Sequence, residues 1–193
     1  IKVASIPTTR QQIYFIDNDD YFNRRQMSTD EKGVEYTDNG ERAIFFARGV
    51  LETVKKLRWQ PDVIVCQGWV SAVVPFYVKT AYAEEPSFAE SKVICAFYPN
   101  ELKGSLGHNF KQSVEYREAT PDMLADYGDN FDFLELAKMA IDYSDGVVEA
   151  AEGVNAEVIK YAEDKNKPLL RFPGDDFADP YAKLINEVCP DED

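Results

Sequence analysis

The stretch Asp62-Val63-Ile64-Val65-Cys66-Gln67-Gly68-Trp69 decides how the chain folds. A strand with one wet face alternates apolar and polar residues. Here Val63, Ile64, Val65 and Cys66 are apolar without alternation, the pattern of a parallel strand covered by helices on both sides. Gly68 then ends the run with a backbone bend. Upstream, Ala43, Phe46, Ala47, Val50, Val54 and Leu57 recur at helical spacing, opposite Glu41, Arg48, Glu52, Lys55 and Lys56. This predicts an amphipathic helix over 41–57, capped by Asp38 or Asn39. Downstream, 71–82 reads as a helix with Ser71 as its cap and Pro75 in the first turn, where a missing N–H breaks no helical bond.

The alternation continues outward. Residues 92–97, 146–148 and 168–172 read as strands, and 133–143, 155–164 and 177–188 as helices. At the front, 2–6 and 12–17 add two further strand candidates. Strand following helix over most of the chain predicts a mainly parallel sheet with right-handed crossovers, an α/β sandwich. In such sheets a ligand sits beyond the carboxyl ends of the strands. Attention therefore goes to 17–20, 67–69, 98–108 and 173–176.

Composition narrows the classes. The chain has 193 residues, with 21 Lys+Arg against 35 Asp+Glu, for a formal charge of −14. That excess argues against a protein gripping nucleic acid or anionic lipid by bulk attraction. No apolar run approaches the roughly 20 residues that span a bilayer. The three cysteines, Cys66, Cys95 and Cys189, are odd in number and widely spaced, as expected of free thiols in a reducing compartment, the cytoplasm by default. The chain starts at Ile1 without a leader and reads as a fragment or a processed product.

Taken residue by residue, the strand-end segments carry modest chemical signals. Asp17-Asn18-Asp19-Asp20 gathers carboxylates that suit Mg²⁺. No supporting Lys motif accompanies them, so a solvated turn is the simpler reading, and a receiver-like or flavodoxin-like module an outside one. Gln67-Gly68-Trp69 suits a sugar, with the Trp ring stacking on a C–H face; the plainer reading packs Trp69 under the next helix. His108, the single histidine, lies in a glycine-rich loop that matches neither phosphate-binding nor dinucleotide-binding patterns. Asp175 and Asp176 suit a cap for the last helix, and the terminal acidic residues a frayed tail.

Several separated motifs then fall into one register. They are Ile13-Tyr14-Phe15-Ile16-Asp17 with Tyr21-Phe22-Asn23-Arg24, and Tyr36-Thr37-Asp38-Asn39-Gly40-Glu41-Arg42-Ala43. Trp59-Gln60-Pro61-Asp62 follows, running on to Gly68-Trp69 and Val74-Pro75-Phe76-Tyr77. In order and spacing they resemble the N-terminal domain of bacterial glycogen synthases and plant starch synthases. The likeness covers roughly residues 1 to 165. It implies a Rossmann-like three-layer sandwich, one half of a GT-B glycosyltransferase. That family transfers glucose from ADP-glucose to an α-1,4-glucan without a metal requirement. On this resemblance the chain is expected to be a single domain over 1–193, incomplete at its N-terminus and lacking the C-terminal nucleotide-binding domain. Asp38, Asn39 and Arg42 are implied as structural motif residues.

The departures from the family pattern shape the functional expectation. Where the family reads His-x-His-Asp-Trp-His, this chain has Val65, Cys66, Gln67, Gly68, Trp69 and Val70. Where the next strand of the family ends in His-Asn, it has Tyr98-Pro99-Asn100 after Phe97. Valine and phenylalanine cannot stabilise charge developing on a sugar. No catalytic residue, cofactor or metal ligand is therefore assigned, and Gln67, Gly68, Trp69, Tyr98 and Asn100 are the sugar-binding candidates. Expected partners are ADP-glucose or an α-glucan, and a separate subunit supplying the second GT-B domain. The other reading is a non-catalytic glucan-binding or assembly protein of glycogen metabolism.

Overall fold

The computed structural model describes residues 1–99 and 102–190. The chain divides into two compact units, Ile1–Tyr36 and Thr37–Asp193.

In the first unit, β1 (Lys2–Ser5) and β2 (Gln12–Phe15) form an antiparallel two-stranded sheet, in register from Lys2 opposite Phe15 to Ser5 opposite Gln12. The sequence reading marked both as strands without assigning their partners, and the structure pairs them with each other, apart from the parallel sheet. The connection is too short for the crossover of about a dozen residues that parallel strands need. Instead it folds into a turn, in which the Ile6 N–H donates to the Gln11 carbonyl at 3.1 Å and Thr8 adopts a φ of 70°. The short helix α1 (Asp19–Phe22) follows. Its cap is Asn18, whose Oδ1 accepts the Tyr21 N–H at 3.0 Å.

The second unit runs α2 (Asn39–Lys56), β3 (Val63–Gln67), α3 (Val74–Lys79), β4 (Lys92–Phe97), α4 (Phe110–Ser113), α5 (Phe133–Asp142), β5 (Gly146–Glu149), α6 (Ala156–Asp164), β6 (Leu169–Leu170) and α7 (Ala178–Val188). Its sheet has the order β3-β4-β5-β6, every pair parallel. Strands thus add in one direction as the chain proceeds.

Two layers of helix cover this sheet. On one face, Ala43, Ala47 and Leu51 of α2, Phe76 of α3, Leu136 and Ala140 of α5 and Val158 of α6 pack with Val93, Cys95 and Val147 in a continuous core. On the other face Leu184 of α7 packs with Ile94, Ala96 and Val148. Successive β4 residues thus feed opposite cores, which is why the strand lacks alternation. Each fully buried Val, Leu, Ile or Phe side chain among them contributes roughly 1.5–3 kcal/mol through removal from water.

Helix ends follow local chemistry. Asp132 accepts the Glu135 N–H at 3.0 Å and caps α5, and Asn155 accepts the Glu157 N–H at 2.8 Å to cap α6. Two capping expectations are corrected and one is met in position. Asp38 holds the N-cap position of α2, without a side-chain capping hydrogen bond to the helix. The α3 helix starts after Val73, with Pro75 in its first turn, while Ser71 belongs to a preceding 3₁₀ turn, Trp69–Ser71. Phe177, rather than Asp175 or Asp176, occupies the N-cap of α7.

Candidate functional site

The ends of β3 and β4 are shaped by one glycine. Gly68 has φ 72° and ψ 175°, a region open essentially to glycine alone. A Cβ placed there would meet nothing within 4 Å, so the requirement is conformational and not steric. Its N–H still donates to the Ala96 carbonyl at 3.0 Å, which extends the ladder one step beyond β3. The chain then winds into the 3₁₀ turn, where the Ser71 hydroxyl donates to the carbonyls of Gln67 at 2.9 Å and Gly68 at 3.0 Å. A free strand end is thereby fixed.

The sequence-selected residues divide at this rim. Gln67 is exposed and Tyr98 half-buried. Gln67 lies beside Ala96 in register, so Gln67 and Tyr98 leave neighbouring strands on the same face, the side that carries α7. Tyr98 packs against the core beneath that helix. Trp69 is only 6% exposed. The guanidinium of Arg42 stands 5.9 Å from its ring centroid and donates to Asn39 Oδ1 at 2.7 Å. Arg42 is itself 2% exposed. Asn39, Arg42 and Trp69 therefore form a buried polar and aromatic support that ties the start of α2 to the turn after β3. Gly40 lets this helix end come close to its neighbours, since a Cβ there would lie 2.5 Å from the Leu106 carbonyl oxygen. Asn100 lies outside the described residues, as do the terminal acidic residues 191–193.

Beneath the rim, α2 and β3 enclose an apolar groove of about 290 Å³. Phe46 and Val50 line it from the helix, residues 64–67 from the strand, and Val70, Ser71 and Val74 from the turn beyond. The sequence reading did not find it, because the same valines and isoleucine that predict burial on both faces leave no sign of a gap beside the strand.

Titratable groups near the rim are chemically quiet. Burial pushes the Cys66 thiol well above its ordinary value, and the neighbouring Cys95 thiol adds to the effect. Burial also raises Cys95 to about 12. Both stay protonated at neutral pH and are poor nucleophiles. His108 is exposed in the turn before α4 and is not part of the groove lining. Asp17 pairs with Lys2 at 2.8 Å, and no group of three or more His, Cys, Asp or Glu among the described residues is arranged to hold a metal ion.

The strongly interacting charges lie elsewhere. Glu52 Oε1 accepts from the hydroxyls of Tyr82 at 2.7 Å and Tyr116 at 3.4 Å and from Arg117 at 3.2 Å. Burial pushes this carboxyl upward, but those bonds and the Arg117 charge outweigh it and hold it below the usual range. Asp142, at the end of α5, accepts from Tyr127 at 2.7 Å and Tyr161 at 2.9 Å and pairs with Lys165 at 2.8 Å. These clusters pin helices to loops.

The sequence profile of the starch synthase catalytic domain matches residues 1–171. The chain belongs to the starch synthase catalytic domain family. Glycogen synthase from Chlorobium limicola is 34% identical over 69% of this chain and 27% of its own length. Glycogen synthase from Vibrio parahaemolyticus is 39% identical over 58% of this chain and 23% of its own. Among solved structures, the catalytic domain of starch synthase IV from Arabidopsis thaliana, bound to ADP and acarbose, matches with a TM-score of 0.53 at 16% identity, over 71% of this chain and 30% of that one. That match shows the fold: a Rossmann-like sandwich whose four-stranded parallel sheet corresponds to one half of the GT-B fold. The chain spans about a quarter of the length of the curated relatives it matches, 27% of the first. No helix among the described residues is long and apolar enough to cross a membrane.

Proposed function

We propose that this chain is the N-terminal, glucan-handling half of a glycogen or starch synthase-like glycosyltransferase, working in the cytoplasm, and that it has no transferase turnover by itself. In this reading Gln67, Gly68, Tyr98 and Asn100 meet a sugar of ADP-glucose or of an α-1,4-glucan. Trp69 acts from below by fixing the turn, held by Arg42 and Asn39. Asp38 starts the helix that carries them.

One observation carries the inactive part of the proposal. Val65, Gln67 and Val70 occupy the places where the family resemblance puts imidazoles, and all three gather at the end of β3 along one groove. An imidazole there would donate hydrogen bonds to a hexose and partial charge to its transition state. An amide and two isopropyl groups leave hydrogen bonding without proton transfer or charge stabilisation. Binding is thus retained while chemistry is lost. A second GT-B domain, supplied by a separate subunit, would have to close the nucleotide cleft.

The test separates the two halves of the proposal. Labelled glucose offered as ADP-glucose with glycogen should remain unincorporated by the purified chain; incorporation at an enzyme-like rate overturns the claim of no turnover. Maltooligosaccharides should shift the amide signals of Gln67, Gly68 and Tyr98. If those signals stay still at saturating sugar, the glucan-handling claim fails.

A further inference from the structure

We infer that Cys66 and Cys95 are a redox pair: hydrogen peroxide joins them in a disulfide across β3 and β4, just below the rim, and a thiol reductant reopens it.

Register places the two thiols together. Cys66 and Cys95 are partners across the parallel β3–β4 ladder, and partners in register point to the same face of a sheet. Both lie in the core beneath the helices, 5% and 2% exposed, as free cysteines. Neighbouring strands run about 4.7–4.9 Å apart, inside the Cα separation of roughly 4.4–6.8 Å that a disulfide spans. Their Cβ atoms stand side by side near the strand spacing, slightly wider than the roughly 3.5–4.5 Å of a relaxed bridge. Closing the bond therefore draws the two strands together. A bridge under such tension is readily reduced, so the pair opens and closes where a relaxed disulfide would act as a permanent staple.

The surroundings assign the order of events. Cys66 lines the groove between α2 and β3, whereas Cys95 is sealed beneath α5, where its Sγ donates to the Ala140 carbonyl at 3.6 Å. Peroxide thus meets Cys66 first. The Cys66 thiolate attacks one peroxide oxygen, the O–O bond breaks, and the departing hydroxide takes the thiol's proton and leaves as water, giving a sulfenic acid. Cys95 then turns to another staggered rotamer, gives up its bond to Ala140 and attacks the Cys66 Sγ as the thiolate. The S–S bond forms, the S–O bond breaks, and the hydroxide released takes the second proton. Two thiols and one peroxide thereby yield a disulfide and two waters. Burial keeps both thiols protonated, so the first step is slow. The pair answers sustained oxidant, and the more open Cys189 reacts before it.

The rim feels the bond. The ladder step directly above the cysteines sets Gln67 beside Ala96, and the Gly68 N–H donates to the Ala96 carbonyl at 3.0 Å. Drawing the strands together one residue earlier shifts both amides. This inference rests on register and burial and is independent of the glucan reading.

The experiment treats the folded full chain carrying Cys189→Ser with hydrogen peroxide and follows free thiols, fragment masses and amide signals, with no sugar present. Loss of both remaining thiols, a mass lower by two hydrogens and a proteolytic fragment joining positions 66 and 95 are expected, together with shifts at Gln67 and Gly68. Dithiothreitol should return both thiols and the original signals. In Cys66→Ala, Cys95 should keep its thiol and the two amides should stay still. The chain with all three cysteines, mapped in the same way, decides the matter if a variant fails to fold. Oxidation that stops at a sulfinic acid on Cys66 while Cys95 stays free overturns the inference. So does a bridge from either residue to Cys189 or to a second chain in place of the 66–95 bond, a 66–95 bond that forms only in urea, or no thiol loss at a peroxide dose that oxidises Cys189.

Discussion

Every residue of β1 is exposed, whereas β4 is buried from its second residue to its last. Both strands are built from residues of the same kind, Lys-Val-Ala-Ser in one and Lys-Val-Ile-Cys-Ala-Phe in the other. What differs is cover. The hairpin of the first unit is held by its own backbone pairing and by an exposed ion pair, Lys2 with Asp17. The sheet of the second unit is held by helices on both faces. Strand propensity describes how well a side chain fits a pleated surface; burial decides how much free energy follows. Substitutions in the two units should therefore differ in size far more than their chemistry suggests.

The sharpest way to break this comparison is a pair of truncations. Phe76 is fully buried, with its ring 5.0 Å from that of Tyr143 in an edge-on arrangement. Phe76→Ala should cost about 3–5 kcal/mol of unfolding free energy. Ile13 in β2 is 41% exposed, and Ile13→Ala should stay within about 0.5 kcal/mol. Urea unfolding of the two variants checks both values. Equal losses would mean that the hairpin contributes to a core as β4 does.

A smaller effect is expected at Gly68. Because its φ and ψ lie in a region closed to other residues while its surroundings are empty, Gly68→Ala should cost about 1–3 kcal/mol from backbone strain alone. Gly33 makes the counterpart in the first unit, with φ 80° and equally open space. The strain there is confined to an exposed turn, so Gly33→Ala should relax locally and lower the melting temperature less. A larger loss at Gly33 reverses the ranking of the units.

The legible part of the fold was the part governed by periodicity. The non-alternating run at 92–97 gave a buried parallel strand, and the stripe from Ala43 to Val54 gave α2, because a side chain's face follows directly from its place in a repeat. The run at 62–66 gave a parallel strand too, but its expected cover on both sides is corrected, since β3 ends the sheet and only Cys66 in it is buried. Pairing partners were less legible. Nothing in residues 2–6 or 12–17 specifies a sheet, and only the short connection between them argues for a hairpin. At the rim, Gly68 announced its bend in the sequence. The burial of Trp69 under Arg42 did not, because a Trp after a strand reads equally well as a ligand platform or a core ring until the partner residue is placed. The groove was invisible for the same reason: a gap is a property of neighbours, and sequence spacing reports only the strand.

Acid stability draws the finest distinction between the units. Asp142 is partly buried; burial raises its carboxyl, but Lys165, Tyr127 and Tyr161 outweigh that and hold it below its ordinary value of 3.8. A carboxyl lowered in the folded state takes up protons more readily when unfolded. Its contribution is fully present above pH 3.8 and is lost as the pH falls through the lower, folded value. Asp142→Asn should therefore destabilise the chain at neutral pH, flatten the acid limb of a stability-against-pH curve, and meet the parent curve at its acid end. Asp17 is lowered too, through its hydrogen bond and charge pairing with Lys2, but the two side chains are 41% and 77% exposed, where salt screens such pairs. Asp17→Asn should leave the same curve almost unchanged, and moderate salt should remove what difference remains. Chemical-denaturation midpoints across the acid range, with and without salt, measure both. A salt-resistant loss at Asp17, or parallel curves for Asp142→Asn and the parent, would show that the clusters at α5 do not anchor the second unit as the buried hydrogen bonds imply.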